Sequence, residues 1–156
     1  SASSRLLLQA NNEIVCTAPA GQPGSCAGVV TAPPGGVAPF FKLYCQTASS
    51  CEGGTFYLYT SAPKMEGAWF NEQNSGLGAT VNIGSINAGM VTKLNRIECS
   101  AFGACGNMVV NLVNGEIGDF ICSVPGACDG CMIYDWKNPQ QPVSTPCMQI
   151  AKLEWL

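Results

Sequence analysis

The chain has 156 residues, enough for one compact domain and short for two. Its 7 basic residues are scattered among 10 acidic ones, so there is no basic stripe to follow a phosphate backbone and nucleic acid is not an expected partner. With no histidine, Ser-His-Asp, Cys-His and most metal-centred mechanisms are removed at once, and no apolar run of about 18 residues predicts a membrane span.

Ten cysteines dominate what is left. An even, high cysteine count with regular spacings belongs to an oxidising compartment, which predicts an extracellular or cell-surface protein, with an oxidising organelle lumen as the alternative. The opening Ser1-Ala2-Ser3-Ser4 reads as what cleavage leaves behind. Because 11% of residues are charged and 47% hydrophobic, much of the surface must be neutral and polar or be covered by another subunit.

In chain order, residues 1–13 carry the apolar run of Leu6, Leu7 and Leu8 and are expected to form an N-terminal arm or cap. Repeat coils follow over 14–134. The clearest copies are Cys99-Ser-Ala-Phe-Gly-Ala-Cys105 and Cys122-Ser-Val-Pro-Gly-Ala-Cys128, displaced by 23 residues. Cys45 and Cys51 keep the same five-residue interval, and Cys16 and Cys26 enclose nine residues. The flanks repeat too: Ile14, Leu43, Ile97 and Phe120 each stand two residues before an opening cysteine. After the closing cysteines come Phe56 and Leu58, Val110 and Leu112, then Ile133 and Asp135, a spacing of two that is strand periodicity with one buried face. The segment from Cys51 to Cys105, with no cysteine until Cys99, is expected to hold two coils, with Leu77–Ile83 marking the second and Pro63–Phe70 forming an apolar excursion near Ala62–Gly78. Residues 135–156, with Leu153, Trp155 and Leu156, are a C-terminal cap or arm.

The 18 glycines and 10 prolines break every long segment, so the expected fold class is mainly β with at most one short helix. Strands this short are stable only when successive copies stack and share one core. Between Ile14 and Tyr134 the repeat resembles the cysteine-rich right-handed parallel β-helix repeats of secreted and surface proteins, related in architecture to pectin-lyase-like and polymorphic outer-membrane-protein repeats. The resemblance implies a disulfide-stapled right-handed parallel β-helix of about five to six coils, a single solenoid domain. Its members include enzymes, adhesins and structural proteins, so it does not choose a function.

Two disulfide schemes fit the geometry of such a coil. Either each cysteine pair closes its own loop, with Phe102-Gly103 and Pro125-Gly126 as reversal points, or the cysteines are bonded from coil to coil, as Cys99 to Cys122. The local scheme is preferred because the five-residue interval survives changes of coil length, and it leaves Cys131 to bond Cys147. A zinc site at Cys128, Cys131 and Cys147 is the rival and lacks a second C-x2-C, so no metal and no cofactor are expected.

Carboxylates are the chemistry that remains. Glu116, Asp119, Asp129 and Asp135 gather near the last coils, and Asp135 falls on the inward register, yet a turn or capping role suits it better than catalysis. No catalytic residue is assigned. Tyr44, Tyr57 and Tyr59 are candidate glycan contacts, against the simpler reading that they pack across neighbouring strands. The Pro-rich stretch Thr31–Gly36 is a candidate for O-linked sugars. The function expected is a non-enzymatic structural subunit of an extracellular or cell-surface filament or fibre, self-associating through solenoid ends and the apolar arms Leu6, Leu7, Leu8, Leu153, Trp155 and Leu156. A secreted carbohydrate-binding or carbohydrate-active protein, and a lumenal scaffold of a larger membrane complex, are the alternatives.

Overall fold

A computed structural model describes residues 5–9, 13–17, 26–31 and 41–156. Ser1–Ser4 and all of the Pro-rich stretch after Thr31, residues 32–36, lie outside the described residues. The fold is a β-solenoid of about 4 turns with almost no helix.

Each turn is built from one strand in each of two sheets. The first sheet, sheet A, runs β1 (Arg5–Gln9), β2 (Glu13–Thr17), β4 (Lys42–Cys45), β7 (Gly67–Phe70), β9 (Thr92–Cys99), β11 (Gly115–Cys122), β14 (Lys152–Leu153), with β6 (Lys64–Met65) also on β9. Sheet B runs β3 (Val29–Thr31), β5 (Thr55–Thr60), β8 (Thr80–Ser85), β10 (Val109–Val113), β12 (Met132–Asp135), β13 (Val143–Pro146). Pairing within the stack is parallel; it turns antiparallel where β1 lies on β2 and where β13 lies on β12.

Period-two alternation decides which side chains face inward. In sheet A one inner column is Ile14, Leu43, Ala68, Ile97 and Phe120, and the next is Cys16, Cys45, Phe70, Cys99 and Cys122. In sheet B the inner columns are Val30, Phe56, Val81, Val110 and Ile133, then Leu58, Ile83, Leu112 and Asp135. All these apolar residues are buried and form one cluster along the axis. Most members of these columns have apolar neighbours above and below, so one continuous core serves every turn.

The loops joining sheet A to sheet B form a third stacked wall, over residues 46–54, 71–79, 100–108 and 123–131. Cys51 N–H donates to Ser75 O at 2.7 Å, Gly76 N–H to Ala104 O at 2.7 Å and Cys105 N–H to Ala127 O at 2.8 Å. Each loop also folds through tight internal turns, such as Ala104 N–H to Ala101 O at 3.1 Å. Such turns need left-handed backbone at two places four residues apart: Ser49 and Gly53, Asn74 and Gly78, Gly103 and Asn107, Gly126 and Gly130. Glycine and asparagine tolerate that conformation, which is why they recur there.

Five disulfides rib the structure: Cys16–Cys26, Cys45–Cys51, Cys99–Cys105, Cys122–Cys128 and Cys131–Cys147, with Cα separations between 5.3 and 6.2 Å. Four close their own loop. Among the described residues no cysteine is free.

One expectation is corrected. Pro63–Phe70 is not an excursion: it holds β6 and β7, with Met65, Ala68 and Phe70 fully buried in the wall of the third coil. That coil has no cysteines because Phe70 occupies the opening-cysteine column and Gly76 stands where the closing cysteine would. A Cβ on Gly76 would lie 2.5 Å from Phe70 Cδ1, so the ring fills the space a disulfide takes elsewhere. Each sheet stacks at least five strands in parallel over about 4 turns, and the chain ends reverse or fold over the stack instead of adding coils.

Candidate interaction surfaces

The strongest surface feature follows from which residues fill the outward positions. The strands of sheet A contain ten charged residues: Arg5, Glu13, Lys42, Lys64, Lys93, Arg96, Glu98, Glu116, Asp119 and Lys152. Those of sheet B contain one, Asp135, and it lies in an inward column. The outer face of sheet B is therefore uncharged from coil to coil. Its middle column is Tyr57, Asn82, Asn111 and Tyr134; beside it stand Tyr59, Gly84 and Val113, and on the other side Thr55, Thr80, Val109 and Met132.

This face is held rigid by its own hydrogen bonds. Trp136 Nε1 donates to Asn111 Oδ1 at 3.0 Å, Asn111 Nδ2 to Asn82 Oδ1 at 2.9 Å, and Asn82 Nδ2 to Phe56 O at 3.1 Å. The Tyr59 ring leans over Gly84, where a Cβ would come within 3.2 Å of Tyr59 Cε1, and its centroid is 6.1 Å from that of Tyr57. Burial first, and then the neighbouring Tyr57, raise the Tyr59 phenol above its ordinary value.

Of the three tyrosines expected to meet glycans, Tyr57 and Tyr59 thus share a face and Tyr44 does not. Tyr44 lies on the outside of sheet A, stacked on Trp69 with centroids 5.0 Å apart and planes 22° from parallel. An open groove of about 340 Å³ runs beside this pair, lined also by Gln46, Asn71 and Glu72. Sequence reasoning missed Trp69 because it sat in the presumed excursion; the Phe70–Gly76 interval, equal to that of the cysteine pairs, was the available signal.

The acidic group is split. Glu116 and Asp135 share a cleft of about 370 Å³ with Lys137, while Asp119 sits on the exposed side of β11 and Asp129 in the last stacked loop. Asp135 Oδ1 accepts the Lys137 backbone N–H at 3.2 Å, a turn-forming contact.

The sulfurs of Cys16, Cys45 and Cys51 lie within 4.8 Å of one another, but all three are bonded in disulfides and so offer no thiolate to a metal. Cys128, Cys131 and Cys147 are likewise disulfide-bonded.

Both terminal runs are paired to the stack. Leu6, Leu7 and Leu8 lie in β1 opposite Cys16, Val15 and Ile14. Leu153 lies in β14 beside Cys122, Trp155 packs against the core, and Leu156 is 90% exposed. At one end of sheet A β1 pairs antiparallel along Glu13–Thr17, and at the other β14 pairs parallel with Ile121 and Cys122.

Comparison with known protein families, curated proteins and solved structures finds no match to this chain. The parallel β-solenoid is consistent with a β-helix fold, and no family match supports a pectin-lyase-like assignment. The disulfides speak for an oxidising, extracellular or secretory environment. Among the described residues no helix is long and apolar enough to cross a membrane.

Proposed function

We propose that this protein is a non-enzymatic structural subunit of an extracellular or cell-surface assembly, a disulfide-ribbed rod that docks sideways onto protein neighbours through the outer face of sheet B. The observation that carries the reading is the charge partition, ten charged residues in one sheet against one in the other. A free surface gains solubility from charge, whereas a surface covered by a partner pays a desolvation cost for every charge it keeps. Tyrosine, tryptophan and asparagine on a rigid strand lattice give contact area with little side-chain entropy to lose.

The flank is proposed as a docking element alongside the solenoid ends and terminal apolar runs. A filament of copies and a complex with other chains both use such a face. Sedimentation across a concentration series is the test: the wild-type chain is expected to associate, and the exposed outward pair Tyr57→Lys with Val113→Lys to stay monomeric. Lys42→Glu, on the outside of sheet A, leaves association intact. A wild-type chain that stays monomeric at every concentration, alone and in extract of its native source, contradicts the proposal.

A further inference from the structure

We infer that the groove beside the Tyr44–Trp69 stack binds a pyranose ring of a neutral glycan. The groove lies on the outside of sheet A and the adjoining loops, away from the docking face, so the inference stands whether or not the chain assembles.

Three observations converge there. The first is a fixed aromatic wall. Tyr44 and Trp69 stack at 5.0 Å, and Gly67 gives the indole room to lie back along its own strand, since a Cβ there would fall 2.8 Å from Trp69 Cη2. An aromatic ring presents an apolar surface to the C–H face of a sugar, and a ring already held in place loses little freedom on binding.

The second is the polar rim. Gln46, Asn71 and Glu72 border the groove at the start of the stacked loops. Ser100 Oγ donates to Asn71 Oδ1 at 2.7 Å, which fixes that amide and leaves its Nδ2 to donate elsewhere. A carboxylate with amide donors and acceptors can meet neighbouring sugar hydroxyls, which both donate and accept.

The third is the sign of the charge. Glu72 is the charged residue in the lining, and no lysine or arginine faces it there. An anionic sugar would meet repulsion without a counter-charge, whereas a neutral one meets an acceptor. At about 340 Å³ the groove is of a size for a short stretch of sugar chain and not for a folded partner.

Isothermal titration of the intact chain with cellopentaose, mannopentaose, xylopentaose and trigalacturonate decides the matter. At least one neutral oligosaccharide is expected to bind saturably and more tightly than trigalacturonate. Trp69→Ala is expected to weaken that binding by about tenfold or more. The paired change Asn71→Ala with Glu72→Ala, at exposed loop positions that leave the core alone, weakens it in the same direction. Tyr59→Ala, on the other sheet, leaves it unchanged. The inference is overturned if no neutral oligosaccharide binds, if trigalacturonate binds more tightly, if both groove variants bind as wild type does, or if Tyr59→Ala abolishes binding.

Discussion

At the scale of single residues the third coil shows how a repeat survives the loss of its cysteines. Phe70 and Gly76 together occupy the place of a disulfide, and neither works without the other: a methyl on Gly76 would meet Phe70 Cδ1 at 2.5 Å and the Ala104 carbonyl oxygen at 2.7 Å. Gly76→Ala is accordingly expected to destabilise by about 1–3 kcal/mol in denaturant unfolding. The adjacent residue carries the opposite prediction. Ser75 is fully buried and its Oγ has no hydrogen-bond partner, while Ala104 and Ala127 hold the equivalent place in the next two loops. Ser75→Ala removes an unsatisfied hydroxyl and is expected to raise stability by up to about 1 kcal/mol, read by the same titration. Tyr59 supplies a pH signature. Its phenol is raised above 10.0 by burial and by Tyr57, so the neutral form is favoured in the folded state. The stability tied to that shift is whole below pH 10 and is lost as pH climbs through the raised value. Tyr59→Phe should flatten this alkaline fall in melting temperature, and an unchanged alkaline slope would refute the assignment.

At the scale of elements, the coil was legible wherever cysteines marked it. The side chains two before each opening cysteine, and those five and seven after Cys51, Cys105 and Cys128, do share columns, because the equal lengths of the loops that those three close force equal register. Of the third coil the sheet B strand was legible in Leu77–Ile83, whereas the sheet A half was not, since Phe70 and Gly76 look ordinary without the three-dimensional column that equates them with a cysteine pair. Both ends were read as caps or arms, and their antiparallel strand direction was hidden for a related reason. A strand-forming run such as Leu6–Leu8 has the same pattern whether it adds a coil or reverses onto the edge, and only the turn direction distinguishes the two. The C-terminal cap is secured by Cys131–Cys147, closing a span of 16 residues, with the short helix Cys147–Ile150 leading into β14. Cys147→Ser should cost about 3 kcal/mol and melt β13 and β14 before the coils. Hydrogen exchange would show this as early loss of protection after residue 142, with Val109–Val113 still protected.

At the scale of the whole molecule the solenoid sorts its residues by direction. Inward columns are apolar, the loop wall is small and rich in glycine, one sheet face is charged and the other is neutral. That last division could not be read along the chain, where charges look evenly scattered; it emerges once strands are assigned alternately to two sheets. The candidate groove was equally out of reach, because Gln46, Trp69 and Glu72 come from successive coils. A rod with a neutral flank is suited to lateral association. Hydroxyl-radical footprinting of the assembled against the dissociated protein addresses it directly. The expected result is protection of Tyr57, Tyr59, Tyr134 and Trp136 on assembly, with Tyr44 and Trp69 oxidised alike in both states. Protection of Tyr44 and Trp69 in place of the sheet B aromatics, or of neither set, would contradict it.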